Sequence, residues 1–265
     1  MNRAPDRRPH PWFAGHPPRV LAHRGLVTDS DASHGVVENS FAAVAAANAA
    51  GALYVESDCH LTADGVVVLF HDDDLSRVTG DPRKVADVSS RELGDLMADR
   101  GGLITLAQAL EAFPTVRFNL DVKAPAAAEP VGRLVAAHGA RVLLTSFSDA
   151  RRRAALRAAS RAGTQPPATS AGTATIARLL LSVAVGARGW TRRILRDVDA
   201  VQVPERRGAI RIVSRRMLAA AHRNGVEVHV WTVNDEADMR RLLALGVDGI
   251  VTDRADVALR TIATG

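Results

Sequence analysis

Residues 117–145, RFNLDVKAPAAAEPVGRLVAAHGARVLLT, read as one strand, one helix and a second strand. Arg117 to Val122 alternates polar with apolar side chains, the period of a strand with two unlike faces. A helix is expected over Ala126 to His138, and Val142 to Thr145 is an apolar run of strand length. Strand, helix, strand in that order makes a parallel pair.

The same rhythm extends in both directions. Val20 to Ala22, Tyr54 to Asp58, Ala200 to Val203, Glu227 to Trp231 and Gly249 to Thr252 read as further strands. Helices are expected at Ser40 to Ala50, Leu106 to Ala112, Ser214 to Asn224 and Glu236 to Leu245. Gly51, Gly225 and Gly246 follow three of them, where glycine ends a helix most easily. An eighth strand is expected within Gln165 to Ser170, although Pro166 and Pro167 interrupt it. Eight parallel strands in about 250 residues is the size of a TIM (β/α)8 barrel. An open doubly wound sheet has the same alternation, but no glycine-rich dinucleotide or P-loop fingerprint accompanies it here. The expected organisation is a basic N-terminal extension over 1–18 and a single barrel domain over 19–265.

One strand breaks the alternation. Val66 to Phe70 follows Tyr54 to Asp58 across seven residues, too few for a parallel crossover, so it must fold back as a hairpin. With Asp64-Gly65 as a two-residue turn, Ala63 pairs with Val66 and Asp58 with His71. A four-residue loop puts His71 opposite Glu56, so either count places His71 on the face of both carboxylates. Residues 72–100 are expected to form a small insertion over the barrel mouth.

Composition excludes several classes of function. With 47% hydrophobic and 24% charged residues the chain has the balance of a globular protein rather than a disordered one. Its longest apolar stretch, Leu179 to Ala187, falls well short of the ~20 residues that span a bilayer. An amphipathic barrel helix is expected there, which leaves room for peripheral membrane contact. The N-terminus has no apolar core of a secretory signal, so a cytoplasmic location is expected. Cys59 is the sole cysteine, which excludes an internal disulfide and points to plain packing. A net charge of +5 with 4% aromatics and no recognition motif gives no reason to expect nucleic acid.

Glu56 and Asp58 lie two apart on a strand and so share a face. Burying two unpaired carboxylates is expensive, and a divalent cation offsets the cost. Oxygen ligands suit Mg²⁺ or Ca²⁺ better than zinc. On the polar face of the 117–122 strand, Asp121 can add a third carboxylate, and Lys123 a point charge for a phosphate oxygen. Of 34 basic residues only Lys84 and Lys123 are lysine, so a lysine at a strand end is informative. His23-Arg24-Gly25 ends the first strand, where barrels carry their chemistry. Histidine moves protons near neutral pH, arginine grips phosphate, and glycine lets the chain turn close to a ligand. The plain alternatives are two solvated acids on an exposed edge and a structural Asp–Lys pair.

The motifs His23-Arg24-Gly25, Glu38-Asn39-Ser40, Glu56-Ser57-Asp58 with Leu61-Thr62-Ala63-Asp64-Gly65, and His71-Asp72 occur in that order. Asp121-Val122-Lys123, Trp231-Thr232-Val233-Asn234 and Asp248-Gly249-Ile250-Val251-Thr252-Asp253 follow. Over residues 20–255 the chain thereby resembles the glycerophosphodiester phosphodiesterase family. That resemblance implies a TIM barrel acting on a small-molecule glycerophosphodiester, which it hydrolyses to glycerol 3-phosphate and an alcohol. It implies His23 and His71 as the acid–base pair, with Arg24 and Lys123 on the phosphate. Glu56, Asp58 and Asp121 would hold a divalent metal, Mg²⁺ or Ca²⁺. Many members have glutamate where this chain has Asp121, whose shorter side chain reaches less far. The nucleophile is the neighbouring glycerol hydroxyl, through a cyclic intermediate, or water. Related readings are a barrel acting on lysophospholipids or sphingolipids, and a non-catalytic phosphodiester binder, against which two histidines argue.

Other residues have two readings. Asn39 either contacts metal or substrate or caps the following helix. Trp231 either packs on the glycerol carbons or belongs to the core. His60 shares the parity of Asp58, but both the hairpin count and the motif favour His71. His34, Asp73 and Asp74 are expected in solvent. No motif specifies an oligomeric state.

Overall fold

The structure is a computed structural model describing residues 10–263. Its strands are β1 (Arg19–His23), β2 (Tyr54–Leu61), β3 (Val67–Leu69), β4 (Arg117–Val122), β5 (Val142–Thr145) and β6 (Ala168–Thr169). They continue with β7 (Ala200–Val203), an exposed ribbon of β8 (Arg206–Arg207) and β9 (Ile210–Arg211), β10 (Glu227–Val230) and β11 (Gly249–Thr252). Hydrogen-bonded neighbours run β6-β5-β4-β2-β1-β11-β10-β7, all parallel. A parallel bridge from Ser170 to Ala200 joins the two ends, so the sheet curls into the expected TIM barrel. The eighth strand is only two residues long, because Pro166 and Pro167 just before it have no N–H to give a ladder.

Helices cover the wall: α1 (Asp29–Ser33), α2 (Phe41–Ala49), α3 (Ser76–Thr79), α4 (Ser90–Met97), α5 (Leu106–Ala112) and α6 (Ala128–Val135). After them come α7 (Asp149–Ala162), α8 (Thr173–Ala184), α9 (Arg188–Leu195), α10 (Arg215–His222), α11 (Glu236–Leu245) and α12 (Ala255–Ala263). The helix expected over Ala126 to His138 is α6 flanked by two 3-10 segments. Apolar faces of strands and helices meet in one large core, for example Val55, Phe118, Leu120, Val131 and Leu144. Among the described residues no helix is long and apolar enough to cross a membrane.

The hairpin register differs from both counts. Cys59 pairs with Leu69, His60 with Val68 and Leu61 with Val67. Ala63, Asp64 and Gly65 form a three-residue loop, closed where the Thr62 N–H donates to the Val66 carbonyl, with Gly65 left-handed at φ 78°. A slip of one residue flips every side chain, so Phe70 and not His71 lies opposite Asp58. The expectation that strand pairing sets His71 on the carboxylate face is overturned. His71 reaches the mouth because the chain leaves the sheet after Leu69.

The insertion packs on β3 through its own cluster of Val68, Phe70, Leu75, Val85, Val88, Leu93 and Met97. At the opposite end, a 3-10 turn over Pro11–Phe13 plugs the barrel. Trp12 is fully buried, 4.8 Å edge-on from Tyr54, and donates its Nε1–H to the Phe118 carbonyl at 3.0 Å. Of the extension expected over 1–18, residues 1–9 lie outside the described residues.

Candidate active site

Because β2 and β4 are in register, Asp58 stands beside Asp121, and Glu56 beside Asn119. All four are buried, which rules out a solvated edge. Lys123 Nζ lies 2.8 Å from both Asp58 Oδ1 and Asp121 Oδ2. Arg24 Nε approaches Asp58 Oδ2 at 3.2 Å, and Asn39 donates its amide to the same oxygen at 3.0 Å. Burial would raise the pKa of Asp58, but Lys123 and Arg24 outweigh it and hold the group ionised below the usual range. Asp121 is raised, its burial outweighing Lys123. Glu56 has no such cation in contact: burial, then the Asp58 charge, push it up to about 8.

Glu56 Oε2 and Asp121 Oδ1 are buried without a hydrogen-bond partner. Among the described residues no three His, Cys, Asp or Glu side chains form a ready-made metal cage, and Lys123 sits between Asp58 and Asp121. The two orphaned oxygens, one of them on the uncompensated Glu56, nonetheless fit a hard divalent cation, which would satisfy both.

His23 ends β1 with Nδ1 2.6 Å from Asp253 Oδ1 and Nε2 3.9 Å from Glu56 Oε2. Burial would lower its pKa, but Asp253 and Glu56 reverse that and raise it. Asn234 positions Asp253 by donating to Oδ2 at 2.7 Å while accepting from the Asp253 N–H and the Thr252 hydroxyl. His71 has the same arrangement, its Nδ1 2.6 Å from Asp72 Oδ1. Arg77 reaches Asp72 at 2.6 Å and Glu38 at 2.7 Å, and Glu38 also meets Arg24 at 3.3 Å. Each imidazole is therefore held at Nδ1 and presents Nε2. His71, Asp72, Arg77 and Lys123 line an open cavity of about 630 Å³ at the mouth.

Residues 23–257 match the glycerophosphoryl diester phosphodiesterase family. The chain belongs to that family. It is 37% identical over 250 residues to a probable glycerophosphodiester phosphodiesterase 2 of Mycobacterium tuberculosis, across 92% of this chain and 91% of that protein. Two solved structures share the fold. A glycerophosphodiester phosphodiesterase from Thermotoga maritima aligns with a TM-score of 0.68 at 24% identity, covering 94% of this chain and 99% of that one. An Oleispira antarctica phosphodiesterase, solved with the product sn-glycerol-3-phosphate, aligns at 0.69 and 23% identity, covering 93% and 97%.

In this phosphodiesterase Arg24 and Asn39 are the non-glycine residues with positive φ, at 59° and 56°, among the described residues. Arg24 donates its N–H to the Glu56 carbonyl and Asn39 to the Arg24 carbonyl, each at 2.8 Å. Strained backbone thus concentrates in the site. Gly25 has φ 94°, and a Cβ there would lie 2.6 Å from the Ala43 carbonyl carbon. Glycine is required there by the close approach of α2. Gly25→Ala is expected to cost at least about 2 kcal/mol in urea unfolding, and an unchanged midpoint would refute that account.

The cap of α2 is Ser40, which accepts from the Ala43 N–H at 3.1 Å. Asn39 is left free to bridge Asp58 and the Ser57 hydroxyl. Trp231 packs partly on the core and 6.0 Å edge-on from Phe147, a ring that is 60% exposed and lies 5.6 Å from Lys123 Nζ. His60 is buried, its pKa lowered by burial, and its Nε2 is 3.2 Å from the His71 carbonyl, so it braces the backbone. His34, Asp73 and Asp74 are exposed, and Asp74 accepts from the Ser76 N–H at 2.9 Å. Sequence reasoning gave no role to Asp72, Asp253, Asn234, Glu38, Arg77 or Phe147. Most lie inside the quoted motifs, but which partner each one meets is not written there.

Proposed function

We propose that this phosphodiesterase hydrolyses glycerophosphodiesters to glycerol 3-phosphate and an alcohol, with a divalent metal and two histidines. The observation that carries the reading is the pair of Nδ1-anchored histidines, His23 and His71, at a buried cluster of three carboxylates with Arg24 and Lys123. Glu56, Asp58 and Asp121 would hold Mg²⁺ or Ca²⁺, which when bound neutralises charge on the phosphodiester. Arg24 offers a planar fork and Lys123 a point charge to the phosphate oxygens. Asn39 keeps Asp58 in place, and Trp231 with Phe147 gives the glycerol carbons an apolar wall. His23, whose proton is held by Asp253 and Glu56, suits the acid that protonates the leaving alcohol. His71 is then the base that takes the proton of the attacking glycerol hydroxyl or water; in the first case a water must next open the cyclic phosphate, with the two histidines exchanging roles.

Purified protein given glycerophosphocholine or glycerophosphoethanolamine is expected to release glycerol 3-phosphate, to stop with EDTA, and to recover with Mg²⁺, Ca²⁺ or Mn²⁺. No hydrolysis of either with any of these ions would overturn the reading. Because Phe147 exposes an apolar ring at the mouth, lysophosphatidylcholine belongs in the same assay as the related substrate class.

Glu56 also sets a pH dependence. With its pKa near 8, it carries a proton below that pH, and loading a metal must expel it. Apparent Mg²⁺ affinity is therefore expected to rise about tenfold per pH unit up to roughly pH 8 and level off above it. Titration calorimetry across that range measures it, and a flat profile would remove Glu56 from the ligand set.

A further inference from the structure

The positive charge of the chain is concentrated in one segment. Residues 149–197 hold ten arginines against Asp149 and Asp197, a net +8 where the whole chain has +5, so everything else sums to −3. The segment folds as α7, β6, α8 and α9 on the outer wall. A groove of about 700 Å³ there is lined by Arg153, Arg157, Arg161, Arg178, Arg193 and Trp190, and by no residue of the barrel mouth. Those five arginines are exposed, and among the described residues they make no ion pair. On α6, α11 and α12, by contrast, an arginine is paired within its own helix, as in Arg133–Glu129, Arg240–Glu236 and Arg260–Asp256. On the groove wall Arg152 is 5% exposed and keeps its Nε buried without a partner.

Apolar side chains stand beside this charge. Leu181 is 54% exposed, Val185 64% and Trp190 38%. Arg178, Leu181 and Val185 follow one another at spacings of three and four and so share one face of α8 and its end. Exposed arginine around an exposed indole and aliphatic groups is what an interfacial surface needs: guanidinium for lipid phosphate, apolar groups for the acyl boundary. A nucleic acid would use the charge but not Leu181 and Val185. A second copy of this chain would bring the same +8 against it.

We propose that the α7–α8–α9 face docks the enzyme on a bilayer containing anionic phospholipid. Full-length protein is expected to float with vesicles of phosphatidylcholine containing roughly one third phosphatidylglycerol, not with phosphatidylcholine alone, and to come off in high salt. Arg157→Glu, Arg161→Glu, Arg178→Glu and Arg193→Glu combined should weaken partitioning more than about a hundredfold while the thermal midpoint holds. Trp190→Ala should weaken it severalfold, and the tryptophan fluorescence of the wild type should shift to the blue only on anionic vesicles, a shift that Trp190→Ala loses. The proposal fails if wild-type protein does not float with anionic vesicles, or if the charge-reversed protein floats equally well. It also fails if single-stranded oligonucleotide binds while vesicles do not.

Discussion

Replacing His71 by alanine is expected to lower kcat on a glycerophosphodiester by about a hundredfold or more, the usual contribution of a positioned proton-transfer group. Stability should barely change. The imidazole is one-third exposed, and its partner Asp72 keeps Arg77 at 2.6 Å. His23→Ala should cost a comparable factor, and the double variant much less than the product of the two, because an acid and a base serving one reaction act as a unit. Steady-state rates with thermal melts measure this. A near-normal rate in His71→Ala would take the residue out of the reaction, and a collapsed melt would make its role structural.

Asp58→Ala is expected to have the largest combined effect. Asp58 is 2% exposed and receives Arg24, Lys123 and Asn39 together. Its loss leaves two cations facing each other in a largely buried site, a cost of roughly 3 kcal/mol when one partner of such a cluster is removed. Hydrolysis should fall to background, since the phosphate-binding cations lose their anchor and the proposed metal a ligand. Asp58→Asn retains the shape and part of the hydrogen bonding, so it should recover much of the stability and none of the activity. Urea unfolding paired with turnover distinguishes the two effects. A fully stable and active Asp58→Ala protein would contradict the central place given to this residue.

What the amino-acid sequence determined is what depends on local geometry. Buried parallel strands appear as short apolar runs, so β1, β4, β5, β7 and β11 were legible almost residue for residue. Period-two alternation likewise placed Glu56 and Asp58 on one face, and Arg117, Asn119 and Asp121 on another, before any pairing was known. Residues 149–197 carry ten arginines, but that they line one groove depends on how α7 packs beside α8 and α9.

Only the tertiary structure decided the rest, because those choices are made by atoms far apart in the chain. Asp64-Gly65 suits a two-residue turn, in which the Ala63 N–H would go to the neighbouring strand. Here that N–H donates to the Val88 carbonyl of the insertion at 2.9 Å, Asp64 holds the Ser90 N–H and hydroxyl, and the loop takes three residues. That one-residue slip moves Phe70 opposite Asp58, so His71 is placed by the turn that follows the strand. The aspartates that aim the two histidines show the same limit: Asp72 adjoins His71 in the chain, whereas Asp253 is 230 residues from His23 and meets it only because β11 and β1 are neighbours in the closed barrel.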